Sequence, residues 1–230
     1  MSLNTLLSVF NSLDKNPRFV KNYKLNFIMR KLLLLTFLLG AFTMNAQEVT
    51  FGAKAGLNIS SWAGDNTEDL DSRTSFHLGA TAEISSNDVF SVQPELLFSS
   101  QGVKAEFSDS GLDTSFSLVI NYIQIPVMAK YYVTEGLSLE AGPQIGFLMS
   151  ANSETSITFD GETESYDEDV KELYNSLDFG LNIGAGYKLD SGLNFALRYN
   201  LGLSNLLDGA DEDDFSVTNR VLQLSVGFTF

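Results

Sequence analysis

From Phe51 to the last residue, side-chain character alternates with a period of two, stretch after stretch, and almost nowhere with the helical period of 3.6. FGAKAGLNIS sets Phe51, Ala53, Ala55, Leu57 and Ile59 on one face and Gly52, Lys54, Gly56, Asn58 and Ser60 on the other. GLNFALRYNLGLS sets Leu193, Phe195, Leu197, Tyr199, Leu201 and Leu203 opposite Asn194, Arg198, Asn200 and Gly202. SFHLGATAEIS, FSVQPELLFSSQ, INYIQIPVMAKYYV, GLSLEAGPQIGFLMS, LDFGLNIGAGYKL and VLQLSVGFTF repeat the pattern. This predicts eight strands, each of about ten residues or more and long enough to cross a bilayer at a tilt.

The connections alternate as well. SND at 86–88, TEG at 134–136 and DSG at 190–192 are tight hairpin turns. The connections at 62–73, 102–115, 151–176 and 205–219 are long and hold most of the acids, as in DNTEDLD, DGETESYDEDVKE and DGADEDD. An even strand number, short turns at one end and long polar loops at the other predict an all-β, eight-stranded antiparallel up-and-down transmembrane β-barrel. Its last strand has to pair with its first, because an open edge in hydrocarbon leaves backbone groups unsatisfied.

Sidedness decides between this fold and a soluble lipocalin-like barrel with apolar residues inside. Ten in-strand glycines (Gly52, Gly56, Gly79, Gly142, Gly146, Gly180, Gly184, Gly186, Gly202 and Gly227) all fall on the polar face. An eight-stranded bore is barely wide enough for its side chains, so small residues belong inside it. Lys54, Glu83, Glu95, Lys130, Glu140, Asp178, Lys188 and Arg198 share that face, four bases against four acids. Enclosed charges must pair, since an unpartnered buried charge is very costly. The polar face is therefore expected to line the lumen and the apolar face to meet lipid. Tyr131, Tyr187, Tyr199 and Phe230 on the apolar face are candidate interface aromatics, and Trp62 at the end of strand one is a further candidate anchor. Leu222, Leu224, Val226, Phe228 and Phe230 resemble the alternating carboxy-terminal signal by which outer-membrane proteins are recognised for assembly.

The amino terminus carries an export signal. Arg30 and Lys31 form a basic region, LLLLTFLLGAF at 32–42 an apolar core too short to span a membrane, and TMNA a cleavage region ending at Ala46. Residues 1–28 read as a mis-assigned extension upstream of Met29, 29–46 as the signal peptide and 47–230 as the barrel domain. The formal charge of −15 excludes a nucleic-acid partner, and the lack of cysteine excludes disulfides and Cys-based metal sites.

Little of the sequence suggests catalysis. His77, with Ser75 in register beside it, is the sole imidazole and reads as a hydrogen-bonded lumen residue rather than part of a hydrolase. Asp167, Glu168 and Asp169, and the DEDD run at 211–214, lack EF-hand spacing and read as solvated loop charges rather than divalent-cation ligands. Residues 168–173 can form one helical turn. Pro94, Pro126 and Pro143 lie within strands, where bulges are expected.

FGAKAGLNIS, PELLFSSQGVK, NYIQIPVMAKYYV, EAGPQIGFLMS, DFGLNIGAGYKL and LRYNLGLSNL together resemble the PorT-like small outer-membrane β-barrel family of Bacteroidetes, as does a signal ending in NAQ. The resemblance implies an outer-membrane barrel domain and no enzymatic activity. It implies outer-membrane lipids and the barrel-assembly machinery as partners, with an envelope or secretion protein as a further one. No cofactor is expected. The resulting expectation is a barrel with a plugged polar lumen and a structural, adhesive or assembly-associated envelope role. The alternative is a narrow channel or transporter for small polar solutes.

Overall fold

The computed structural model describes residues 48–109, 112–209 and 216–230. The extension at 1–28, the signal segment at 29–46 and the DEDD run at 211–214 lie outside the described residues. Nine strands are present in this part of the chain: β1 (Glu48–Gly64), β2 (Asp71–Ser85), β3 (Phe90–Asp109), β4 (Leu112–Tyr132), β5 (Leu137–Phe159), β6 (Glu162–Asp169), β7 (Leu177–Lys188), β8 (Leu193–Gly202) and β9 (Val217–Thr229). Each pairs antiparallel with its neighbours, and all but β6 form a closed ring in the order β1-β2-β3-β4-β5-β7-β8-β9. The seam runs from Gly52 opposite Thr229 to Gly64 opposite Val217, and the Phe230 amide donates to the Phe51 carbonyl at 2.9 Å.

The eight expected staves are thus the ring, and β6 is an addition. It pairs only with the distal half of β5, from Asn152 opposite Asp169 to Phe159 opposite Glu162. Strands β3, β4 and β5 run 20, 21 and 23 residues, where a tilted membrane crossing takes about 9–11. The connections expected at 102–115 and 151–176 are therefore mostly strand, and β3 to β6 project beyond the wall as an antiparallel arm. Asp160 and Gly161 join β5 to β6 with φ of 51° and 85°, the two positive values that a type I′ hairpin turn requires. The expected helical turn is reduced to a 3₁₀ turn at Lys171–Leu173.

Bulges occur, but not at the prolines. The registers of β3 with β4 and of β4 with β5 are the same on both sides of Pro94, Pro126 and Pro143, although some residue pairs beside them are missing from the ladder. The shifts lie between Ser72 and His77 on β2, and on β5 where Ser150 faces Asn121 but Leu148 faces Tyr122, leaving Met149 extra. A proline removes one donor without adding a residue, so it thins the ladder and does not displace it.

The wall has the sidedness the alternation implies. Leu57, Phe195, Leu197 and Leu224 are about half exposed on the outside, while Lys54 and Arg198 are 7% and 2% exposed within. Leu57, Leu224 and Leu197 lie in one row across β1, β9 and β8. Replacing Leu224 with Arg is expected to destabilise the barrel in a bilayer by about 2–4 kcal/mol, the cost of a cation on a lipid face near mid-membrane. Urea unfolding from liposomes measures it; a change near zero would mean that this row faces water.

Candidate functional site

The interior is built from the inward positions of all eight staves. At the short-turn end a chain of alternating charges runs Lys188, Glu83, Lys130, Glu140, Arg198, Glu95, Lys54. Lys188 and Lys130 approach Glu83 at 3.8 and 3.4 Å, and Lys130 lies 3.8 Å from Glu140. Arg198 grips Glu95 bidentately, Nη1 and Nη2 donating at 2.9 and 2.8 Å, and its Nε donates to Glu140 at 2.8 Å. Lys54 reaches the far side of Glu95 at 3.2 Å.

Glycines make these contacts possible. Gly184 lies directly between Glu140 and Arg198 across β5, β7 and β8. A Cβ there would sit 2.8 Å from Arg198 Cγ, in the space through which the guanidinium reaches Glu140. One at Gly186 would sit 2.5 Å from Glu140 Oε1.

Neutral groups complete the shell of each carboxylate. Gln93 donates to Glu95 at 2.6 Å, Ser91 to Glu83 at 2.7 Å, and the Tyr132 hydroxyl also donates to Glu83. The packing leaves a cavity of ≈ 20 Å³ at this end, room for about one water.

Seven of the eight expected network residues join this chain, and Asp178 does not. Among the described residues no cation lies within ion-pair distance of it. Its oxygens instead accept from Ser204 Oγ at 3.0 Å and Asn219 Nδ2 at 3.2 Å, near the loop end. The chain of seven therefore holds four bases and three acids.

Above the charges lies a layer of amides centred on His77. Asn58 Nδ2 donates to Ser99 Oγ and to the Ser100 carbonyl, so Asn58 Oδ1 is an acceptor, taken by Gln223 Nε2 at 3.2 Å and His77 Nδ1 at 2.8 Å. The His77 proton is thereby assigned to Nδ1, which leaves Nε2 to accept from Ser225 Oγ at 2.9 Å. The expected neighbour Ser75 bonds the Ser100 carbonyl instead. Serine, histidine and asparagine stand in the order of a hydrolytic relay, but His77 and Ser225 are 1% and 5% exposed and sealed by packed side chains.

The loop end holds buried apolar packing that the expectation of a polar lumen missed. Val103, Leu118, Ile120, Tyr122, Leu148 and Ala151 form a buried cluster, covered by Trp62, Leu70, Phe116, Val170 and Tyr174. The Trp62 and Tyr174 rings meet at 6.1 Å between centroids. Trp62 shares its parity with Asn58 and Ser60, so it packs on this inner cap, whereas it was expected as an interface anchor at the end of strand one. A signal for it was present in that parity, read one residue pair further along.

The other aromatics lie outside. Tyr131, Tyr187 and Phe230 are exposed near the short-turn end, and Tyr199 sits deeper in the wall between Ile183 and Leu222. Leu222, Leu224, Val226, Phe228 and Phe230 all face outward. Asp167, Glu168 and Asp169 lie on β6, where successive residues point to opposite faces.

Comparison with known proteins places the chain in context. No curated protein matches the sequence. Among solved structures, Ail of Yersinia pestis, the attachment invasion locus protein, aligns at 17% identity over 80% of this chain and 99% of its own, with a TM-score of 0.45. The neisserial surface protein NspA aligns at 10% identity over 80% and 99%, with a TM-score of 0.43. CarO of Acinetobacter baumannii aligns at 10% identity over 76% and 97%, with a TM-score of 0.39. The family model described as "Outer membrane protein beta-barrel domain" matches residues 45–208, most of the described barrel. The chain therefore belongs to the outer membrane protein beta-barrel domain family, and its ring of staves is an outer-membrane barrel.

Proposed function

We propose that this barrel is a closed envelope protein, with a plugged polar lumen and a structural, adhesive or assembly-associated role exercised at its loop end. The observation that carries this reading is the alternating ion chain, which crosses the bore from Lys188 to Lys54 with Arg198 forked between Glu95 and Glu140. Solute passage would require breaking several buried charge-assisted bonds together, and then passing the apolar cap. No hydrolytic role is proposed for His77, whose hydrogen bonds all go to its packed neighbours.

In this reading residues 29–46 export the chain and the outward run ending at Phe230 presents it to the barrel-assembly machinery. Tyr131, Tyr187, Tyr199 and Phe230 contact the lipid. The sequence likeness supports a place among the PorT-like members of the family, with an envelope or secretion protein as partner.

Two measurements test it. Wild-type protein in planar bilayers is expected to show no steady conductance; a stable open level would favour the alternative of a narrow channel for small polar solutes. Replacing Glu95 with Gln leaves Lys54 and Arg198 without their shared carboxylate, and is expected to lower stability by about 3–5 kcal/mol, the cost of orphaning buried charge. Urea unfolding reads this directly, and a loss below about 1 kcal/mol would show that the chain does not hold the interior together.

A further inference from the structure

The wall and its interior leave the arm unexplained. Its two faces differ in kind. On one, hydrogen bonds close across the strands, Ser156 with Ser165 at 3.0 Å, Thr158 with Thr163 at 2.9 Å and Ser108 with Asp113, and Lys104 pairs with Glu106 along β3 at 2.9 Å. The other carries Phe107, Phe116, Ile157, Phe159 and Tyr166. Register puts them together: Thr114 faces both Phe107 and Ile157, and Thr155 faces both Phe116 and Tyr166. Phe107, Phe159 and Tyr166 are 60%, 62% and 56% exposed. Aromatic rings left bare beyond the membrane, beside one another, mark an interaction surface.

The second observation is the edge. Strand β6 ends the sheet order, and nothing among the described residues pairs its outer side. It reads ETESYDED, five acids in eight residues with no base. Glu162, Glu164 and Glu168 share the aromatic face with Tyr166, whose hydroxyl donates to Glu164 at 2.6 Å. That hydrogen bond raises the Tyr166 phenol above its ordinary pKa.

An unpaired edge accepts another strand by main-chain hydrogen bonds. A second copy of β6 is a poor occupant, because carboxylates would stand opposite carboxylates. Charge on an edge also guards against aggregation, but a guard has no use for an exposed aromatic face beside it.

We propose that the free edge of β6, with the Phe159, Ile157 and Tyr166 face next to it, docks an extended Lys/Arg-rich segment of a protein partner. The main chain of the segment continues the sheet. Its cations oppose Glu162, Glu164 and Glu168, and the apolar stems of those cations cover Tyr166 and Ile157 on the same face. This rests on the reading of the loop end as the working face, and it names the surface and the chemistry of the partner.

The test uses the folded barrel in zwitterionic nanodiscs and a labelled nine-residue peptide alternating Arg and Val, read by fluorescence anisotropy against empty nanodiscs. Binding is expected for this peptide and not for one alternating Glu and Val. Methylating alternate peptide amides should abolish it. Neutralising the edge (E162Q, E164Q, D167N and E168Q together) and, separately, replacing Phe159 and Tyr166 with Ser should each weaken it at least tenfold.

Compact migration in cold SDS shows whether each variant still folds. If one does not, raising the salt from 50 to 300 mM on the wild type replaces it, and should weaken binding several-fold. Equal binding of both peptides, no binding, or affinity indifferent to neutralisation and salt overturns the proposal. So does dimerisation through β6 in sedimentation, which would name a second copy as occupant. Conductance recorded on the same protein separates a leaky bore from a missing docking edge.

Discussion

Hydrocarbon offers no partner to a peptide N–H or C=O, and from this the rest of the molecule follows. A sheet inside a bilayer must satisfy its own backbone, so it must close, and here it closes where β9 meets β1 from Gly52 to Gly64. Closure with eight staves then fixes the bore. It is just wide enough to be filled by the side chains pointing into it, which makes the arrangement of the interior a packing problem. On the strand that closes the ring the ladder continues to Phe230, whose amide donates to the Phe51 carbonyl.

The interior solves that problem in an order opposite to that of a soluble protein. With lipid outside, the wall uses its apolar side chains there, and the inward positions are left to polar groups that must satisfy one another. Charged groups do so by alternation. Each carboxylate of the chain lies between two cations, and the planar guanidinium of Arg198 supplies the bidentate geometry that joins Glu95 to Glu140. Space decides where this is possible: Gly184 and Gly186 give up their side chains so that Arg198 and Glu140 can cross the sheet surface. Asp178, without a cation in ion-pair distance among the described residues, is held by neutral donors, and it lies at the end where the cap around Ile120 and Tyr122 packs.

Most of the wall was legible in the alternation, because a strand that faces lipid on one side and a crowded bore on the other leaves few residues free to break the pattern. Lys54, Leu197 and Arg198 could be assigned a side from parity alone. What was not legible lay where the pattern loses its meaning. Beyond the membrane both faces of a strand meet water, so Thr, Ser, Glu and Phe can occupy either one, and β6 and the distal parts of β3 to β5 read as loops. The Asp160-Gly161 pair, a strong hairpin signal, was present but lay inside an acidic stretch that looked solvated. Trp62 was misplaced for a related reason: an aromatic at a strand end suggests an interface girdle, although its parity with Asn58 and Ser60 points it inward, where its ring meets Tyr174. The prolines misled because their lost hydrogen bond was equated with a shifted register, and these are separate events.

The bulge at Met149 ties wall to arm. A one-residue slip sends every later side chain of β5 to the other face. Up to Leu148 the even-numbered residues of β5 point into the bore; from Ala151 onward the odd-numbered ones do, since Ala151 faces Ile120 and Ser153 faces Leu118 on the inward side of β4. Without the slip, Ile157 and Phe159 would extend the lipid-facing surface of the wall, and their exposure would read as a deeper seat in the membrane. With it, they extend the inner surface, continuous through Phe116 with the cap over the bore. The aromatic face of the arm is therefore an outgrowth of the barrel's interior carried up into water, and its chemistry is that of a core that lacks its other half.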